Sequence, residues 1–394
     1  MKKNLGLYYI ISYLLCSVFP AMIPGIGYAD EFFSFMLGGV MIIYRTRFRK
    51  LYPFPNEVKI FFCFFLIYLL YSFIIKINVK PAILLDCIQQ MKPFMAFYGA
   101  YYLGGYIKSS QKQKVKMICL LMPIMLVPYA IISIGFSEDT LAIFTGHSSG
   151  GGAMCLISAC TYYYCSKQNK DDKIIFLILM SLGLLSLRSK FYGEYIVAVF
   201  LFFFVKKRIR FNIKYLLSIP LLLMVMVYFT WDKFNLYIMS AASGAGEGIG
   251  RTALYLKSFS VLRDYHWVGS GFGTYACFFS GQYYSRLYYD YGLYTIFGLS
   301  PNAWNYVADT YFPGVIGETG ILGIILWIFF IKNIFKRVNG NYLSSKNITN
   351  YRLSILILIT IMIESLAGPV ILSNVGVPLM ILFGIILADK KVVL

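Results

Sequence analysis

The stretch GIGRTALYLKSFSVLRDYHWVGSGFGTY, residues 248–275, stands out because most of the chain around it is apolar. It lies in a polar segment, 231–313, that is rich in Gly and Tyr and carries five Lys/Arg and five Asp/Glu. Within it, 252–263 sets apolar Leu254, Phe259 and Leu262 among good helix formers and predicts a short amphipathic helix. Arg251 falls in the first turn of that helix, and Asp264 and His266 follow it. Gly269-Ser-Gly-Phe-Gly273 then predicts a tight turn. No strand leads into these glycines and no long helix follows them, so they do not form a dinucleotide-binding fingerprint.

Outward from this segment the chain reads as membrane. Of its 394 residues 59% are hydrophobic and only 13% charged, against about 25% charged in soluble domains. The expectation is an all-α polytopic membrane protein, one integral membrane domain over 1–394 with a single large loop at 231–313. Crossing a bilayer takes about 20 apolar residues. About twelve spans are predicted, near 5–24, 31–45, 57–76, 86–107, 116–135, 149–165, 173–188, 191–205, 215–230, 314–333, 352–371 and 374–388. Met1-Lys-Lys precedes the first without a small-residue cleavage site, which predicts a retained span rather than a cleaved leader.

Clusters such as Arg45-Thr-Arg-Phe-Arg-Lys50 and Lys206-Lys-Arg-Ile-Arg210 alternate with poorly charged loops. The positive-inside rule then predicts cytoplasmic termini and an outward-facing large loop. It also accounts for the net charge of +19 without nucleic acid. The loop itself is balanced in charge, so no nucleic-acid partner is expected. Seven of eight cysteines lie in or beside apolar segments, with Cys277 alone in the loop. With no CxxC pair and two histidines, no metal site is expected.

Four groups of residues could carry chemistry. Arg188-Ser-Lys190 places two cations between two apolar segments, where charge is costly and suits a bound phosphate. Arg251, Lys257, Arg263 and Arg286 are further cations of the loop, suited to the oxygens of a pyrophosphate. If 252–262 is helical, Arg251 shares a face with Tyr255 and not with Lys257. Asp309 and Glu318 flank the start of the tenth span, where a carboxylate could act on a sugar hydroxyl. Lys92, Glu194 and Glu364 are charges inside apolar runs, and His266 is one of only two histidines.

These residues resemble a known family. Arg251-Thr-Ala-Leu, followed by Val261-Leu-Arg-Asp-Tyr-His-Trp-Val-Gly-Ser-Gly-Phe-Gly-Thr-Tyr275, looks like the large loop of the O-antigen polymerase and ligase superfamily. Asp309-Thr-Tyr-Phe-Pro-Gly-Val-Ile-Gly-Glu-Thr-Gly-Ile-Leu-Gly323 is similar to its return segment, and Leu187-Arg-Ser-Lys190 to its outer-face Ser-Arg motif with the order changed. Ligases of the family usually carry His where Asp309 stands, so the chain looks more like a Wzy-type polymerase.

The resemblance implies a GT-C-like membrane glycosyltransferase in the bacterial inner membrane. It would join undecaprenyl-pyrophosphate-linked oligosaccharides at the periplasmic face, without a cofactor or metal and with a chain-length regulator as partner. It further implies Arg188 and Arg251 at the pyrophosphate and Asp309 at the acceptor hydroxyl. Lys190, Arg263, His266, Arg286, Glu318 and the turn of Gly269, Gly271 and Gly273 would line the substrate.

Overall fold

The computed structural model describes residues 5–18, 26–48, 53–104, 107–136, 148–209, 231, 235 and 249–389. In lipid an unpaired backbone amide has no water to bond, so long apolar runs become helices. Among the described residues there is no strand, only one isolated bridge between Ser300 and Ala303. The longer helices are α1 (Leu5–Tyr13), α2 (Ala29–Arg47), α3 (Asn56–Ile75), α4 (Lys80–Tyr102), α5 (Ser109–Phe136) and α6 (Ser148–Cys165). They continue as α7 (Lys170–Leu182), α8 (Ser189–Phe204), α9 (Gly250–Asp264), α10 (Phe312–Ser345), α11 (Ile348–Ala367) and α12 (Gly376–Ala388). Among the described residues four segments are long and apolar enough to cross a membrane, namely Asn56–Ile75, Ser109–Gly135, Phe312–Ser345 and Ile348–Leu366. The span expected at 215–230 lies outside the described residues.

Helix α12 is buried from Gly376 to Leu387 and packs along α4, where Gly384 meets Ala100 and the Phe97 carbonyl. At 1.5 Å per residue α7, α8 and α12 are about 20, 24 and 20 Å long, short of the ~30 Å hydrocarbon layer. The turns that close them, at 183–188 and 368–375, are therefore drawn into the bundle rather than carried clear of it, and most of their residues are buried or half-buried. Lys92 of α4 is neutralised inside the bundle by Asp30 and, at 2.8 Å, by Glu31, the acids of the first turn of α2.

Helix α10 differs from expectation at both ends. Its predicted limit near 333 rested on Lys332, yet the helix runs on to Ser345 and carries its cations on its surface. One of them, Arg337, pairs with Glu57 of α3. Near its start α10 is broken at Gly320, whose φ of +58° no side chain accepts easily. A Cβ there would also lie 2.3 Å from the Trp267 carbonyl.

The loop is seated in this break. Amides of Ser270 and Gly271 donate to the carbonyls of Gly317 and Glu318 at 2.8 Å each, and Ile321 N donates to Trp267 O at 3.0 Å. Tyr68 OH of α3 donates to Thr319 O at 2.8 Å. The carbonyls of residues 317–319 and the amide of Ile321 are thus paired across the kink. Beyond the joint the loop has its own small core of Ala253, Leu254, Val261, Tyr275, Leu287, Tyr288, Leu293, Leu299 and Val307. Helix α9 buries Leu254 and Leu262 as expected but leaves Phe259 exposed, its place in the core taken by Val261.

Candidate functional site

Three elements meet where α8 begins and α11 ends. Arg251, in the first turn of α9, donates from Nη2 to Asp309 Oδ2 at 3.0 Å, and both side chains stay about one-third exposed. Tyr255 lies one turn further along α9, and its hydroxyl donates to Leu366 O of α11 at 2.9 Å. Burial, with Arg251 opposing, pushes the Tyr255 hydroxyl up to about 12. Two residues beyond Leu366, a Cβ on Gly368 would stand 3.8 Å from Lys190 Nζ. Lys190 in turn pairs with Glu364 of α11, and Glu194, one turn along α8 from Lys190, lies buried against Glu364. Arg188 caps the start of α8 and is half-buried.

This arrangement brings the start of α9, which bears Arg251, and Lys190 of α8 to the same end of α11. Arg251 presents a planar guanidinium fork, held by Asp309 and about one-third exposed, of the kind that suits phosphate oxygens. Lys190 is a compact charge held by acids behind it. The Asp309 carboxylate keeps enough exposure to meet a hydroxyl. No family model matches the chain, and no curated protein matches it.

The remaining expected site residues fall elsewhere. Arg263 sits twelve residues from Arg251 on α9, about 18 Å along the axis. It is exposed and pairs with its neighbour Asp264 at 3.0 Å. That bond, joined by one from Tyr291, holds the Asp264 carboxyl below its usual value. Arg286 is also exposed and pairs with Asp290 within its own short helical turn. His266 is exposed with a φ of +52°, at the bend that ends α9. None of these three is brought to Arg251.

Glu318 and the glycine turn, expected at the substrate, lie in the joint between the loop and α10. Glu318 is buried, and its Oε1 accepts the amides of Thr274 and Tyr275 at 2.8 and 3.0 Å. The amide of Phe272 goes to Ser72 Oγ at 2.8 Å and that of Gly273 to Asp86 Oδ2 at 3.1 Å. Gly269, Gly271 and Gly273 all have positive φ. A Cβ on Gly269 would lie 2.5 Å from Glu318 O, and one on Gly273 2.6 Å from Ala82 O. Every amide from Ser270 to Tyr275 is bonded to the protein itself, so none is left to cradle a phosphate. The close approach expected of these glycines is real, but it is to α3, α4 and α10.

Sequence reasoning overlooked Tyr255 as a strut and Asp86 as a partner of the turn. Asp86 had a signal, since it is an acid within an apolar run. Tyr255 had none, because its partner is a backbone carbonyl 111 residues away.

Proposed function

We propose that the chain is a polytopic inner-membrane glycosyltransferase of about twelve spans with a GT-C-like architecture. Both termini are cytoplasmic and the 231–313 loop is periplasmic. It polymerises undecaprenyl-pyrophosphate-linked oligosaccharide repeat units into O-antigen or capsular polysaccharide, as a Wzy-type polymerase does. The observation that carries this reading is the half-exposed Arg251–Asp309 pair, tied through Tyr255 to the end of the bundle where Lys190 lies.

In this reading the growing glycan on its lipid pyrophosphate is the donor and a hydroxyl of the next repeat unit is the acceptor. The acceptor oxygen forms a bond to the donor's anomeric carbon. The bond from that carbon to the phosphate oxygen breaks, and its electron pair leaves with the pyrophosphate. Arg251, Arg188 and Lys190 stabilise the charge that develops there. The hydroxyl proton goes to Asp309, which Arg251 holds in place.

The alternative from another class is a lipid-linked sugar transporter, and the broken helix bears on it. Transporters use such breaks to coordinate substrate or ions with free backbone groups. Here the carbonyls of residues 317–319 are already taken by loop amides and Tyr68, which supports the enzyme reading. The test is a gel of surface polysaccharide from a deletion strain. A core bearing one repeat unit and no ladder supports the polymerase. Bare core with polymer on the lipid carrier means a ligase, and an unchanged ladder removes both.

A further inference from the structure

Asp86 of α4, Cys277 of the loop and Glu318 of α10 are buried, and one donor atom from each lies within 4.8 Å of the others. Each is held from outside by the backbone. Asp86 Oδ2 accepts Gly273 N at 3.1 Å, Glu318 Oε1 accepts Thr274 N and Tyr275 N, and Cys277 Sγ accepts Ser280 N at 3.3 Å. The other oxygen of the fully buried Asp86, Oδ1, has no hydrogen-bond partner. Among the described residues no Lys or Arg pairs with either carboxylate. Two carboxyl groups in contact inside a protein are held either by a shared proton or by a compensating cation, and the thiol beside this pair adds a third donor of the kind a cation takes.

We propose that this cluster binds one divalent metal ion, zinc by its donor set, and that the ion pins the loop to α4 and α10. Two carboxylate oxygens and a thiolate form a borderline-soft anionic set suited to zinc. The backbone amides serve as the outer partners that orient metal ligands. Gln90, buried one turn along α4 from Asp86, offers a fourth donor. Such a site is closed, so its role is structural. On binding, the Cys277 S–H bond gives way to a sulfur–metal bond and the proton leaves to solvent. The proposal does not depend on the glycosyltransferase reading, because it concerns what fastens the loop.

The test is metal analysis of the full-length protein, purified in detergent without chelator and without a polyhistidine tag. About one zinc per chain is expected, lost to background in Cys277→Ser and in Glu318→Gln. Cobalt put in place of zinc should give a thiolate-to-cobalt absorption band that Cys277→Ser lacks. If either variant fails to fold, the wild-type protein decides alone: chelator should lower its melting temperature and added zinc should restore it. A folded wild-type protein that holds no metal, and whose melting temperature neither chelator nor zinc moves, overturns the proposal. So does zinc retained in both variants.

Discussion

The joint between the glycine turn and the break in α10 contrasts with the cluster around Arg251. In the joint every backbone amide from 270 to 275 has a partner, and Glu318 is sealed beneath them. Around Arg251 the groups are charged, and the Arg251–Asp309 pair stays about one-third exposed. A network whose amides are all taken rigidifies what it touches and leaves no amide to offer a phosphate. A charged pair that keeps exposure can still meet a ligand. The two regions therefore have separate tasks: the first fixes the loop, and the second meets whatever the loop is held over.

The contrast can be broken at either region. The largest effect on folding is expected from Gly320→Val, which places a β-branched residue at φ +58° with its Cβ 2.3 Å from a carbonyl. Strain and clash of this kind cost roughly 3 kcal/mol or more, so the protein should fall below detection in membranes, as read by immunoblot. Wild-type abundance would mean the break is not needed.

Next comes Lys190→Met. It leaves Glu364 and Glu194 buried without their cation, and breaking a buried pair costs about 3–5 kcal/mol. Adding Glu364→Gln should recover much of the lost melting temperature. A single variant as stable as wild type would show that the pair is not held in the bundle.

The chemistry cluster should behave the other way. Arg251→Ala is expected to change stability by about 1 kcal/mol or less, since partly exposed pairs contribute little. It should cut glycan transfer roughly 100-fold or more, the scale of losing one charge-stabilising donor. Thermal unfolding and chain length measured on the same preparation separate the two effects.

The smallest effect is expected at the far end of α9. Arg263 lowers the Asp264 carboxyl, so this pair stabilises the fold above the ordinary carboxylate range and loses that as pH falls through the lowered value. Arg263→Ala should therefore raise the Asp264 titration toward normal and narrow the gap in melting temperature between neutral and acid pH. Polymer length should not change.

The helices were legible because apolar runs of about 20 residues admit few other structures. The extent of α10 was not, because Lys332, Lys336 and Arg337 read as a loop while in fact they decorate a helix. The Arg251–Tyr255 face was legible from helical spacing alone. The partners of that face, Asp309 and Leu366, lie 58 and 111 residues away, and no local pattern encodes them. The Gly and Glu-x-Gly-x-x-Gly motifs were conspicuous yet suggested a ligand, because sequence shows that a backbone comes close to something without showing to what. Lys190 and Glu364 stood out one by one as charges in apolar runs, while their pairing across 174 residues needed the fold.

The central claim, that Arg251 and Asp309 carry glycan transfer while the joint only holds the loop, is tested most directly by complementing the deletion strain. Arg251→Ala and Asp309→Asn would be expressed there beside wild type, with membrane levels matched by immunoblot, and the surface polysaccharide run on a gel. The account predicts single repeat units on the core from both variants at wild-type protein levels. A full-length ladder from either would contradict it.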